Sequence, residues 1–218
     1  PLSLAGLLED KIINNNTKIE TSPGFIDYKG FITKDFKNYG FIDLSEVISK
    51  SSNVAMVKLC DKAEADSIIK NLYRWGFGRY MNEIFISTRE GYLPNSENLS
   101  DREKVSLCYG YGMQITLAQL VAAYSALFDE GNIKGLNLIS GSFDAFDEKV
   151  ISSELAKDIN TMLLKTVEEG TGTKAKVEGM KISGKTGTTK RLGSLGYTEE
   201  SYNASFIGNA KFDSNDFV

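Results

Sequence analysis

The sequence contains no histidine. That excludes Ser-His-Asp triads, zinc sites with imidazole ligands and any imidazole base, so proton transfer falls to Lys, Ser, Asp or Glu. Cysteine is scarce as well. Cys60 and Cys108 are the only two, too few for a disulfide framework or a four-cysteine metal site. Each sits among apolar residues, in MVKLC and VSLC, a setting that predicts buried free thiols. No apolar run approaches membrane-spanning length, and no signal peptide opens the chain. Internal repeats and low-complexity linkers are missing. There is no basic stripe either: 25 Lys and Arg stand against 29 Asp and Glu, for a net charge of −4, and they are scattered. Nucleic acid is thereby excluded as the main partner, because phosphate binding needs a concentrated positive surface.

What is present is an ordinary globular composition, 41% hydrophobic and 25% charged over 218 residues. The length allows one large domain or two small ones. Apolar periodicity predicts a helix over Leu2–Ile13, with no capping residue before it. Residues 18–42 read as short extended segments. A helical pattern starts at Asp43, with Asp43 or Ser45 as cap, and a second apolar set follows at Val54, Met56, Val57 and Cys60. Further helices are expected over Ala65–Trp75 (stopped by Gly76), Thr116–Glu130 (capped by Thr116, stopped by Gly131) and Ser152–Glu169. Residues 76–115 read as loop-rich. The chain closes as strand, Gly-rich loop, strand, over Gly179–Thr188 and Tyr202–Phe212. These patterns describe one α/β domain whose helices precede an antiparallel hairpin. The first helix is already under way at Pro1 and the end stops at the onset of a strand, so a fragment of a longer chain is expected.

The stretch GMKISGKTGTTK, residues 179–190, carries two signatures. Gly179-x-x-x-x-Gly184-Lys185-Thr186 fits the phosphate-binding loop, and Lys185-Thr186-Gly187 fits the K-T-G element of acyl-transfer enzymes that act on penicillins. A phosphate loop needs a buried strand before it and a helix starting at Lys-Thr. Here the approach TGTKAKVEG is polar and the exit GTTKRLGSLGY is glycine-rich. The K-T-G reading needs a strand at the edge of a cleft. Met180, Ile182 and Gly184 do alternate with Lys181, Ser183 and Lys185. The plain alternative is a glycine-rich hairpin edge with a solvated lysine.

Upstream lies Ser51-Ser52-Asn53, an S-x-N element. Residues two apart do not share a helix face. If Ser51 and Asn53 serve one cleft, the helix must break near Lys50 and restart near Val54, with Asn53 or Ser52 as cap. Taken alone, this is an ordinary Ser/Asn cap. One S-x-x-K occurs, Ser67-Ile68-Ile69-Lys70, after the S-x-N. Its order is wrong for a nucleophile motif, and Ser67 and Lys70 read as a solvated helix face with Ile68 and Ile69 turned to the core.

Together, IDLSEVISKSSNVAMVKL, LSDREKVSLCYGYGMQITLAQLVAAYSALFDEGNI, EEGTGTKAKVEGMKISGKTGTTK and YNASFIGNAKF resemble the transpeptidase domain of class B penicillin-binding proteins over essentially the whole chain. Gly110-Tyr111-Gly112 favours the septal, cell-division group. The resemblance implies the serine β-lactamase-like α/β fold, an antiparallel sheet flanked by helices and here truncated at both ends. It implies Ser51, Asn53 and Lys185 as catalytic residues and Thr186, Gly187 and Thr188 as substrate-binding residues. The nucleophilic serine and its lysine are expected immediately before Pro1, so this chain alone is not expected to acylate. The implied substrates are D-Ala-D-Ala stem peptides, with β-lactams as their mimics. No cofactor and no metal is implied. Divisome membrane proteins are the implied partners, and the implied location is the periplasmic face of the inner membrane, through a single-pass anchor outside this chain. A D,D-carboxypeptidase or serine β-lactamase shares these motifs. A β-lactamase further needs a carboxylate that positions water, for which Glu83, Glu90, Glu97 and Glu103 lie between the motifs. A non-catalytic β-lactam sensor is the alternative of another class, and a nucleotide-binding protein the outsider.

Overall fold

The protein is described by a computed structural model that covers residues 1–81, 89–136, 147–193, 196–212 and 215–218. Helix α1 spans Leu2–Glu9. Strand β1 (Lys18–Glu20) pairs antiparallel with β4 (Phe41–Asp43), and β2 (Phe25–Tyr28) with β3 (Phe31–Lys34). Helices α2 (Leu44–Ser49), α3 (Asn53–Cys60) and α4 (Ala65–Arg74) follow. Then come α5 (Asp101–Leu107), α6 (Leu117–Phe128), a small ladder of β5 (Asn132–Lys134) with β6 (Asp147–Lys149), and α7 (Ser153–Glu168). The chain closes with β7 (Lys181–Gly193), β8 (Gly196–Phe212) and β9 (Asn215–Phe217), an antiparallel sheet in the order β7-β8-β9.

Local chemistry explains where most helices begin. Asp43 and Glu46 form a reciprocal capping box at α2, and Thr116 and Gln119 another at α6. Ser152 caps α7 through Leu155 N. Each such cap contributes about 1 kcal/mol. Gly76 and Gly131, both at positive φ, end their helices as expected.

Several expectations need correction. Helix α1 stops at Glu9 rather than Ile13, because Lys11 turns to positive φ. The loop-rich reading of residues 76–115 missed α5, although Ser100 and Glu103 form a capping box at its start. The closing strands are longer than Gly179–Thr188 and Tyr202–Phe212. Once paired they extend to Gly193 and Gly196, and the glycine-rich loop shrinks accordingly. Of the apolar stripe expected on the Thr116–Glu130 helix, Leu120, Val121, Tyr124 and Leu127, only the last two are buried, and the buried face of α6 takes in Ala122, Ala123 and Ala126 as well. Small side chains let the helix approach its neighbours closely. In α4, Ile68 is buried but Ile69 is only partly so. The largest correction concerns the cysteines. Cys60, at the end of α3, and Cys108, at the end of α5, form a disulfide rather than lying as free thiols. Spacing alone does not reveal that two helix ends 48 residues apart meet.

The core gathers under α1, α3, α4, α6 and α7, with Trp75, Phe77, Leu59, Leu127, Ile159 and Leu163 all buried. Each such side chain contributes roughly 1.5–3 kcal/mol. Two contacts within this core set the site. Buried Asn71 on α4 donates to Leu2 O and accepts from Trp75 Nε1, which pins the start of α1. Helix α7 lies across both α2 and β7, so it joins the two segments that carry the motifs. No helix among the described residues is long and apolar enough to cross a membrane.

Closing a loop of this length by a disulfide stabilises a domain by about 2–4 kcal/mol. The Cys60→Ala/Cys108→Ala variant should therefore lose about that much in urea unfolding. The unreduced, denatured wild type should show no thiol reactive toward a chromogenic disulfide reagent.

Candidate active site

The site starts from a turn. Helix α2 ends with Ser51 N donating to Ile48 O (3.2 Å) and Ser52 N donating to Val47 O (3.1 Å). That paired pattern closes a helix around a left-handed residue, usually glycine. Here the left-handed residue is Ser51, at φ 55°, a conformation that costs a non-glycine residue roughly 1–2 kcal/mol. Helix α3 then begins at Asn53, with Ser52 as its cap accepting from Ala55 N at 3.0 Å. The expected break near Lys50 and the restart near Val54 are both present. Ser51 is exposed and Asn53 half-buried, and the turn frees both from a single helix face.

Lys185 comes from β7. Its Nζ donates to Ser51 Oγ at 2.9 Å and to Thr186 O at 2.9 Å, across 134 residues of sequence in the first case. Burial pushes the Lys185 amine down to about 8. The Pro1 nitrogen, at the start of α1, is buried and feels the Lys185 charge. Among the described residues β7 is an outer strand of its sheet. Its K-T-G segment therefore has one ladder edge not paired with β8.

Thr186 Oγ1 donates to Thr171 Oγ1 at 2.9 Å, and Thr171 N donates to Ser49 O at 3.1 Å. Thr171 thus ties the end of α2 to the K-T-G strand. Sequence reasoning missed it, although it lies in the quoted GTGTK approach. Its neighbour Gly170 passes so close to α2 that a Cβ there would lie 2.4 Å from Ser49 O. Gly187 faces Ser205 across the ladder, and a Cβ there would come within 2.7 Å of Ser205 Oγ. A side chain at this position would require Ser205 to turn its hydroxyl aside. Thr188 is exposed opposite Ala204.

The other candidates lie elsewhere. Ser67 donates to Asp10 Oδ2, and Lys70 pairs with Asp66 on the outer face of α4. Glu97 is exposed, Glu103 is held in its capping box, and Glu90 is exposed with its carbonyl bound by Gln119. Glu83 lies outside the described residues. Lys185 and Thr186 sit in mid-strand with no helix following, which removes the phosphate-loop reading.

A family model described as the penicillin binding protein transpeptidase domain matches residues 1–218. The chain belongs to that family. It is 28% identical over 211 residues to the probable peptidoglycan D,D-transpeptidase PbpC of Pseudomonas aeruginosa, covering 96% of this chain and 37% of that protein. It is 30% identical over 215 residues to the peptidoglycan D,D-transpeptidase FtsI of Buchnera aphidicola subsp. Baizongia pistaciae, covering 95% and 37%. The transpeptidase domain of penicillin-binding protein 3 from Burkholderia pseudomallei superposes with a TM-score of 0.87 at 28% identity, covering 96% of this chain and 64% of that one. The chain spans just over a third of the length of the curated relatives it matches.

The Lys185 shift makes a stability prediction. An unfolded lysine titrates near 10.4. Below about pH 8 both states hold the proton and the burial cost is present in full. Between about 8 and 10.4 the unfolded state binds more protons, so stability rises with pH. Lys185→Met should therefore melt about 2–4 °C higher than wild type at pH 7, as ~1 kcal/mol does in a domain of this size. The difference should shrink toward zero by about pH 10.5.

Proposed function

We propose that the intact protein is a septal peptidoglycan D,D-transpeptidase, cross-linking stem peptides through a serine acyl-enzyme. The observation that carries this reading is the Lys185 Nζ to Ser51 Oγ contact of 2.9 Å. It brings the two motifs, 134 residues apart in sequence, into direct contact. A serine and lysine immediately before Pro1 would complete the cleft. The serine Oγ would attack the carbonyl between the two D-alanines, forming the acyl ester as the peptide C–N bond breaks. The preceding lysine would take the serine proton. Such a base needs a lowered pKa, which a neighbouring cation supplies, and Lys185 is that cation below about pH 8. Ser51 lies where it would pass the proton to the departing D-alanine amine. Asn53 would hold the substrate amide. The Thr186 and Thr188 hydroxyls would bind the terminal carboxylate. The Thr188 N–H would form half of the oxyanion hole, where one donor contributes about 3 kcal/mol. An amine from a second stem peptide would then take the acyl group. β-Lactams would enter as mimics of D-Ala-D-Ala.

Relatives named FtsI and penicillin-binding protein 3 support the wall-synthesis reading, and FtsI the division role. The buried Cys60–Cys108 disulfide supports an oxidising compartment. We place the domain on the periplasmic side of the inner membrane, anchored by a segment outside this chain and working beside divisome membrane proteins.

Fluorescent penicillin should label the intact protein covalently and leave the isolated 218-residue chain unlabelled. Lys185→Ala should reduce the acylation rate at least about tenfold, the loss of roughly 1.4 kcal/mol of barrier stabilisation. Ser67→Ala should label like wild type. Wild-type labelling of Lys185→Ala, or loss of labelling in a folded Ser67→Ala, contradicts the assignment.

A further inference from the structure

Ser51 and Asn53 are set by a turn whose left-handed residue has no glycine's freedom, so something outside the turn must hold it. Besides Lys185, Asp35, just past β3, contacts it from outside. Its Oδ2 accepts from Ser52 Oγ at 2.6 Å and its Oδ1 accepts from Val54 N at 3.0 Å. Ser52 and Val54 bracket Asn53, and Ser52 immediately follows Ser51. Asp35 is itself fixed, since its N–H donates to Gly24 O at 2.9 Å. The next residue, Phe36, is 95% exposed, so it is the carboxylate that engages α3 here.

The geometry has a defined logic. Ser52 is buried, and its hydroxyl has one proton. By accepting that proton, Asp35 leaves a lone pair of Ser52 Oγ for Ala55 N, the cap bond of α3. The other carboxylate oxygen satisfies the next free N–H of the same helix end, where negative charge is favoured. One side chain thus fixes both the hydroxyl orientation of the cap and the start of the helix that carries Asn53.

We propose that Asp35 is the positioning residue of the S-x-N turn. It holds Ser51 in the left-handed conformation that reaches Lys185 and keeps Asn53 at the mouth of the same cleft. This rests on the transpeptidase reading and goes beyond its motif residues. An ordinary helix cap would affect only stability. A positioning residue acts on the rate of the chemical step and acts through Ser51. In Asp35→Asn the amide Nδ2 faces Ser52 Oγ, so the hydroxyl can no longer donate there. The carboxylate-binding threonines on β7 are left untouched.

The test follows acylation of the intact protein by fluorescent penicillin, separating final amplitude, non-covalent affinity and acylation rate. For Asp35→Asn we expect wild-type amplitude, affinity within about twofold and a rate lowered about tenfold or more. On a Ser51→Ala background, Asp35→Asn should slow acylation by no more than about twofold, because residues acting as a unit are non-additive. A wild-type rate in Asp35→Asn overturns the proposal. So does a loss of amplitude with an unchanged rate, or an equal slowing on both backgrounds. If Asp35→Asn does not fold, Ser52→Ala, which removes the same hydroxyl bond, carries the test. A rate lowered at least about threefold at full amplitude supports the proposal, and an unchanged rate overturns it. A wild-type protein that does not label overturns the function reading itself, and the inference with it.

Discussion

A serine in a left-handed turn is the constraint on which the site depends. Ser51 occupies the position where helices usually close on glycine. Glycine there would relieve strain but carry no hydroxyl. The strain is held by elements on every side. Helix α2 supplies two carbonyls to the turn, and α3 restarts at once under its Ser52 cap. Lys185 reaches the Ser51 hydroxyl from β7. Backbone strain of this kind persists only where the surroundings over-determine it, and such places cluster at active sites.

The second constraint is the meeting of two distant segments. Helix α7 lies against both α2 and β7, and its exit, Gly170-Thr171, passes between them. Gly170 permits the close approach to Ser49 O, and Thr171 uses it to reach Thr186. The hydrogen bonds at the site therefore follow from packing elsewhere. Without histidine, the proposed proton transfer has only Lys, Ser, Asp or Glu to draw on from this chain. Half-burial of Lys185 lowers its pKa while leaving it cationic at neutral pH. A cation in a partly dry cleft both attracts a carboxylate and depresses the pKa of a second amine.

Much of this was legible in the residues, for local reasons. Asp43, Thr116 and Ser152 announce their helices because a cap acts within three residues of itself. The alternation around Lys185 marked a strand, and the incompatible spacing of Ser51 and Asn53 required a break that the structure contains. Helix α5 was legible through Ser100 and Glu103 and was still missed, because its glycine-rich surroundings outweighed a short apolar pattern. Other features are not encoded locally. The Cys60–Cys108 bond depends on where two helix ends meet, and neither flanking sequence differs from that of a buried thiol. Thr171 and Asp35 look like ordinary loop residues. Their importance lies in partners 15 and 17 residues away, reached only after the sheet and helices have packed.

The central proposal is that the Ser51–Lys185 contact is completed by a nucleophile from the residues that lead into Pro1. Peptide mapping of the penicilloyl adduct on the intact protein, by mass spectrometry after proteolysis, tests it most directly. The account predicts a single adduct on a serine immediately preceding Pro1. An adduct on Ser51, or on Ser67 at the outer face of α4, would contradict it.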